Sequence, residues 1–263
     1  MINPLFNFIC RVLPALLLAT AAAAEIRTET VRYSHEGVEL EGFLAWDDAI
    51  KEKRPGVLVV HEWWGLNDYA RTRVRQLAGQ GYVAFGLDMY GGGKATTHPD
   101  EASAWMKDIQ ENVDAWVQRA NRGLEVLKQD ERVAADKIAA IGYCFGGATV
   151  MKMAYAGIDL DVVASFHGSL PVADESEQKN IKPRLLIAHG NADPFVPVEK
   201  VSAFREALSQ SDADWTMMVF GGARHSFTNP NVDEYGMDAL VYDEQADRQS
   251  WRMLTWLLED TFQ

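Results

Sequence analysis

Apolar and polar residues alternate from Thr28 to Tyr33 and from Val38 to Trp46, on either side of His35-Glu36-Gly37. A two-residue period interrupted by a turn predicts an antiparallel hairpin at a sheet edge. Beyond it the pattern changes to short, continuously apolar runs: Gly56 to Val60, Tyr82 to Leu87, Ile138 to Ile141, Val162 to Phe166, Arg184 to Ala188 and Trp215 to Phe220. Runs of this kind, bounded by turn residues, predict strands covered on both faces. Helical periodicity fills the gaps: Asn67 to Gln80, Glu101 to Gln129 with a break near Asn112, Gly146 to Ala156, Val198 to Ser209 and about Asp238 to Glu259. Strand and helix alternate, which predicts an α/β class with a mostly parallel central sheet flanked by helices on both faces. No repeat or linker divides Glu25 to Gln263, so one domain is expected there.

The opening residues follow a different rule. Arg11 precedes an apolar run from Val12 to Ala24, with small residues at Ala22 and Ala24, as in a cleaved secretory signal peptide covering residues 1–24. The run is shorter than the roughly 20 residues that span a bilayer, so no stable membrane association is expected after cleavage. A periplasmic or secreted location follows. Cys10 would leave with the signal, and the single remaining cysteine, Cys144, could form no internal disulfide. A net charge of -13 argues against a nucleic-acid partner. It does not distinguish a monomer from a small homo-oligomer.

Two loops follow predicted strands, Tyr90 to Pro99 and Gly168 to Lys182. Both belong beside the ligand crevice at the carboxyl ends of the strands. Gly91, Gly92 and Gly93 are not followed by a Lys-Ser/Thr pair, which weakens a phosphate-loop reading.

Chemistry concentrates at Gly142-Tyr143-Cys144-Phe145-Gly146-Gly147, where a predicted strand runs directly into a predicted helix. Strand, G-x-C-x-G, helix is a nucleophile elbow with sulfur in place of the usual serine oxygen. The turn is sharp enough to strain the nucleophile's backbone, and the helix N-terminus beside it favours a thiolate. In the α/β-hydrolase fold an acid and then a histidine follow later strands. Asp193 lies in the loop after Arg184 to Ala188, and His225 follows the last strand, flanked by Gly221 and Gly222. An aspartate there also suits a helix cap, but the order nucleophile, acid, histidine favours a triad. The fold places one oxyanion donor on the residue after the nucleophile and another after an early strand, which assigns the backbone N–H groups of Phe145 and Trp63.

His35, His98, His167 and His189 read as structural or exposed. His61-Glu62 is not followed by the second histidine of H-E-x-x-H, since position 65 is Gly. Neither a metal nor another cofactor is expected.

Taken together, the Glu62-aromatic-x-Gly stretch, the Asp88-Met89-Tyr90 turn, the G-Y-C-F-G-G elbow, the H-G-x-x-D-x-x-V-P stretch and His225-Ser226-Phe227 resemble the dienelactone hydrolase family over nearly the whole mature chain. The resemblance implies an α/β-hydrolase fold. It also implies that Glu62 lies beside the resting thiol, holds Cys144 quiet and moves away when substrate arrives, leaving the thiolate paired with His225; a buried ion pair with Arg71 or Arg73 is the structural alternative. The family holds its substrate's carboxylate with two arginines, but the matching stretches here are Gly91-Gly92-Gly93-Lys94 and Thr228-Asn229. Lys94 could substitute as a point charge, or simply be solvated.

The function expected from these residues is hydrolysis of small esters or lactones through an acyl-cysteine, with Trp64, Tyr90 and Lys94 in the substrate pocket. Trp105 and Trp116 are either pocket or core. Acyl transfer on the same triad, and a non-enzymic ligand-binding or thiol-sensing protein, stay open.

Overall fold

A computed structural model describes residues 25–262. The expected signal segment, with Cys10, lies outside the described residues. The hairpin forms as expected: β1 (Ile26–His35) pairs antiparallel with β2 (Val38–Asp47), and Glu36 and Gly37 make the turn with φ of 49° and 78°. Two residues at positive φ match the right-handed twist of the paired strands.

The remaining strands are β3 (Arg54–Val60), β4 (Val83–Leu87), β5 (Val133–Tyr143), β6 (Val162–Phe166), β7 (Arg184–Gly190) and β8 (Trp215–Phe220). Their order in the sheet is β1-β2-β4-β3-β5-β6-β7-β8, parallel from β4 onward. The fully apolar run in β3 has the physical reason anticipated for it. Val57, Leu58, Val59 and Val60 are all buried, Val57 and Val59 facing one layer of the core and Leu58 and Val60 the other.

Helices α1 (Asp68–Ala78) and α7 (Glu244–Phe262) cover the first layer through Val74, Leu77, Leu254 and Leu258. Helices α3 (Val113–Gln129), α4 (Phe145–Tyr155) and α6 (Val198–Ser209) cover the second through Leu124, Val150 and Phe204. Helix α2 (Pro99–Gln110) packs Trp105 and Met106 against that second layer. The break near Asn112 is a cap: its side chain accepts the Ala115 N–H and starts α3.

Three boundaries differ from expectation. β5 begins at Val133, because Val133 and Ala134 pair with Arg54 and Pro55 before the register shifts. α7 begins at Glu244, where Asp243 caps the Ala246 N–H, and the preceding chain makes a 3₁₀ turn at Val232–Tyr235. The 168–182 loop contains one helical turn, α5 (Glu175–Gln178), held by a capping box between Asp174 and Glu177.

Candidate active site

The end of β5 delivers Cys144 to the first turn of α4 in a conformation few side chains adopt, φ 54° and ψ -114°. Two glycines make this possible. A Cβ on Gly142 would lie 2.1 Å from the Gly146 carbonyl oxygen, and one on Gly146 would lie 2.2 Å from the Val60 carbonyl oxygen. Backbone bonds then fasten the elbow to its neighbours, the Cys144 N–H donating to Phe166 (3.0 Å) and the Gly146 N–H to His61 (3.1 Å). Cys144 thus caps α4 at the carboxyl ends of β3, β5 and β6, with the helix N-terminus behind it. His167, Leu170 and Ser226, in the loops after β6 and β8, also have positive φ, so backbone strain gathers around this crevice.

The loops after β7 and β8 bring Asp193 and His225 together. His225 Nδ1 is 2.7 Å from Asp193 Oδ2, while Asp193 Oδ1 accepts the Phe195 N–H at 2.9 Å. Both side chains are buried. The loop that carries the imidazole is tied down by the Val241 N–H, which donates to the His225 carbonyl. Phe195 meets the imidazole edge-on at 5.1 Å, and His167 does so from another side at 5.3 Å. Burial alone would lower the His225 pKa, but the adjacent Cys144 charge and the Asp193 hydrogen bond outweigh it and push it up to about 10. His167 and His189 behave oppositely, burial keeping both neutral.

Cys144 and His225 open onto a cavity of about 460 Å³, lined also by Trp63, Phe145, Phe195 and Leu240, with Met106 and Gln110 from α2, Ser169 and Lys200. The backbone N–H groups of Trp63 and Phe145 donate to no acceptor among the described residues. Of the cavity residues, Met106, Gln110, Ser169, Phe195, Lys200 and Leu240 were not anticipated as lining. Ser169 belongs to the 168–182 loop expected beside the crevice, and Phe195 follows Asp193 closely enough that its place could have been inferred. The others reach the cavity through helix packing and loop paths that no local pattern encodes.

The expected pocket residues Trp64, Tyr90 and Lys94 are not on this wall. Trp64 is fully buried and stacks on Tyr235 at 3.9 Å. Tyr90 packs beneath the elbow between His61 and Phe145, with its hydroxyl buried and unpartnered, and Lys94 lies over the Trp105 ring at 4.6 Å. The glycines before Lys94 wrap around buried Asp88, whose carboxylate takes the N–H groups of Tyr90, Gly91 and Gly93. Those amides are therefore engaged internally. Trp116 is core, stacked on Phe145 and donating to Thr149.

Glu62 stands away from the thiol. Its two carboxylate oxygens accept from Ser226 Oγ (2.6 Å) and Asn229 Nδ2 (2.7 Å), and no hydrogen bond joins it to Cys144 among the described residues. With both oxygens satisfied there, the carboxylate does not hold the thiol in this arrangement. Burial raises its pKa against the pull of those two donors. The alternative ion pair is not formed either. Buried Arg73 of α1 instead donates to the Thr228 carbonyl (2.7 Å) and Asp247 of α7 (2.5 Å), flanked by the rings of Tyr69, Tyr143 and Trp251. Arg71 donates to the Leu66 carbonyl.

An arrangement of buried carboxylate, imidazole and thiol at a helix N-terminus, opening on an apolar cavity, suits nucleophilic attack on a carbonyl. Comparison with known proteins agrees with that class. Residues 40–262 match the model of the dienelactone hydrolase family. Protein usf of Aquifex pyrophilus is 29% identical over 234 residues, covering 86% of this chain and 95% of its own. Among solved structures, m3DLH is 34% identical with a TM-score of 0.87, covering 90% of this chain and 99% of that one. A dienelactone hydrolase-like promiscuous phosphotriesterase from metagenomic libraries is 32% identical with a TM-score of 0.88 and the same coverage. The chain therefore belongs to the dienelactone hydrolase family and is a hydrolase of the α/β-hydrolase fold.

Proposed function

We propose that this hydrolase cleaves small carboxylic esters or lactones through an acyl-cysteine intermediate, with Cys144, His225 and Asp193 as its triad. The observation that carries the reading is the buried Asp193–His225 hydrogen bond of 2.7 Å, set beside a strained cysteine at a helix N-terminus. Asp193 holds the Nδ1 proton of His225, which leaves Nε2 for the sulfur. The Asp193 hydrogen bond helps His225 hold a proton beside the sulfur, and the helix N-terminus at Cys144 suits a thiolate there.

The thiolate attacks the carbonyl carbon, and the resulting oxyanion is held by the N–H groups of Trp63 and Phe145. Collapse breaks the acyl C–O bond. The departing alkoxide takes the His225 proton, and in a lactone it stays attached to the acyl chain. Neutral His225 then removes a proton from water as the water attacks the thioester, and collapse releases the acid and restores the thiolate. Glu62, pinned by Ser226 and Asn229, would have to leave both donors to reach and quiet the thiol. We further propose that the enzyme works outside the cytoplasm, on the strength of the first 24 residues.

The test is hydrolysis of p-nitrophenyl acetate and a panel of small lactones, beside Cys144→Ala and enzyme treated with one equivalent of iodoacetamide. Turnover that vanishes in both controls is the expected result. Turnover retained by Cys144→Ala would end the cysteine mechanism. Formation of a transesterified product on adding an alcohol would favour acyl transfer instead.

A further inference from the structure

The two edges of the sheet are finished differently. β1 closes one side with Arg27, Glu29 and Arg32 along its length, a charged border of the kind that keeps an edge strand from pairing with another chain. β8 closes the other side with Trp-Thr-Met-Met-Val-Phe, a run without a charge or a proline. Its backbone is satisfied on one side only. The Leu185 N–H donates to the Asp214 carbonyl and the Asn191 N–H to the Phe220 carbonyl, so the even-numbered positions of β8 face β7. Alternation along the strand then turns the N–H and C=O groups of Trp215, Met217 and Val219 outward, where they meet no partner among the described residues. The ground beside this row is apolar as well. Val219 is 50% exposed, and Trp256 of α7, which shares a shallow hollow with Thr216, is 52% exposed. A bare edge of this composition is a template for a further strand.

We propose that β8 is a docking edge for the β8 of a second copy of this chain, the two strands pairing antiparallel about a two-fold axis at Met217 so that one sheet runs through both molecules. That axis sets Trp215 opposite Val219 and Met217 opposite itself. Every outward donor then meets an outward acceptor, in about six backbone hydrogen bonds. The flanks match in charge. The chain enters β8 through exposed Asp212 and Asp214 and leaves it through Gly221 and Gly222 to exposed Arg224. Asp214 is held by Arg184 of β7, which leaves Asp212 to face Arg224 of the second copy; Arg224 gives one N–H to the Asp238 carbonyl and has others to offer. A parallel pair would set like ends together. Nothing crowds the exit, since a Cβ on Gly221 or Gly222 would have no atom within 4 Å. Paired strands of this length fall short of the roughly 1,000 Å² of a specific interface, and Val219 and Trp256, each present twice by symmetry, widen it. A two-fold contact is closed, so growth stops at the dimer. The proposal is independent of the hydrolase reading.

The experiment is sedimentation equilibrium of the purified protein from about 1 to 100 µM, beside Val219→Pro, Val219→Lys, Arg224→Glu and the double variant Asp212→Lys with Arg224→Glu. Proline and lysine are the residues that guard natural edges, and at Val219 the proline removes a donor that β7 does not use. The unsubstituted protein should dimerise within that range. Val219→Pro should raise the dissociation constant by about 100-fold, because symmetry repeats both the lost hydrogen bond and the acceptor left unpaired. Val219→Lys, which keeps every backbone donor, should also weaken the dimer while circular dichroism shows an unchanged fold. Arg224→Glu should weaken it several-fold, and the double variant should recover that loss. A protein that stays monomeric throughout would overturn the proposal. So would a dimer that both Val219 variants leave intact, which would put the contact on another face, or growth beyond the dimer, which a closed two-fold forbids.

Discussion

Replacing Gly146 by alanine tests whether the elbow is built on backbone proximity. The added methyl would sit 2.2 Å from the Val60 carbonyl oxygen and 2.7 Å from that of His61, and both are main-chain atoms with no rotamer to relieve the clash. Restoring ordinary separation requires the first turn of α4 to retreat from β3 by about 1 Å, straining the Gly146–His61 hydrogen bond. Overpacking costs about 1–3 kcal/mol, and a clash against backbone belongs at the upper end. For a domain of this size the corresponding drop in Tm is about 6–12 °C. The same retreat displaces Cys144 and the Phe145 N–H, and a misplacement of that size lowers kcat/KM by about 100-fold. Gly222→Ala, with no atom within 4 Å of its own Cβ, is the control and should stay within about 0.5 kcal/mol. Thermal unfolding followed by circular dichroism, with p-nitrophenyl acetate kinetics on the same samples, reads both effects. A Gly146→Ala protein melting within about 2 °C of the parent would refute the reasoning, because it would mean α4 can shift freely against β3.

Asp193→Asn should keep the fold and lower kcat by about 10³–10⁴-fold on any substrate the enzyme turns over, since the imidazole loses its tautomer anchor. The folded His225 value of about 10 lies above the unfolded value near 6.5, so the stability it contributes is complete below about pH 6.5 and is lost as pH rises through about 10. Urea unfolding at stepped pH should show that loss, and Cys144→Ala, which removes the charge raising the pKa, should move it to lower pH. Ser226→Ala or Asn229→Ala leaves one oxygen of buried Glu62 unpaired and should cost about 1–3 kcal/mol. In a Glu62→Gln background the Ser226 penalty should shrink, which a double-mutant cycle measures.

Much of the frame could be read from residue patterns alone because it depends on local rules. A two-residue period gave the hairpin, unbroken apolar runs gave the doubly covered strands, and the glycines around Cys144 announced a turn too tight for side chains. The chain order of Cys144, Asp193 and His225 was readable for the same reason, each following its own strand. The cavity was not. Trp64 and Tyr90 are aromatic and follow the carboxyl ends of β3 and β4, yet each is drawn into packing, Trp64 by the face of Tyr235, which enters from the 3₁₀ turn far along the chain. Lys94 was a plausible pocket cation until Trp105 of α2 came to lie under it. Lys200 carried no signal, because a lysine in the first turn of a helix usually faces water and only the path of α6 sets it on the cavity wall. Glu62 illustrates the same limit: its partners, Ser226 and Asn229, lie more than 160 residues away.

The clasp of Arg73 on Thr228 and Asp247 has a consequence for the order in which the protein is made. Arg73 is synthesised early, but the carbonyl and carboxylate that neutralise it, and the loop that carries His225, come only after the last strand. A nascent chain grown as far as α6 therefore already possesses Cys144 and its elbow, with a guanidinium waiting for its counter-charge and no imidazole to engage the sulfur. The stretch after β8 supplies the imidazole and the Thr228 carbonyl, and the final helix then supplies the Asp247 carboxylate, so under the proposed triad the thiol gains its partner only late in synthesis.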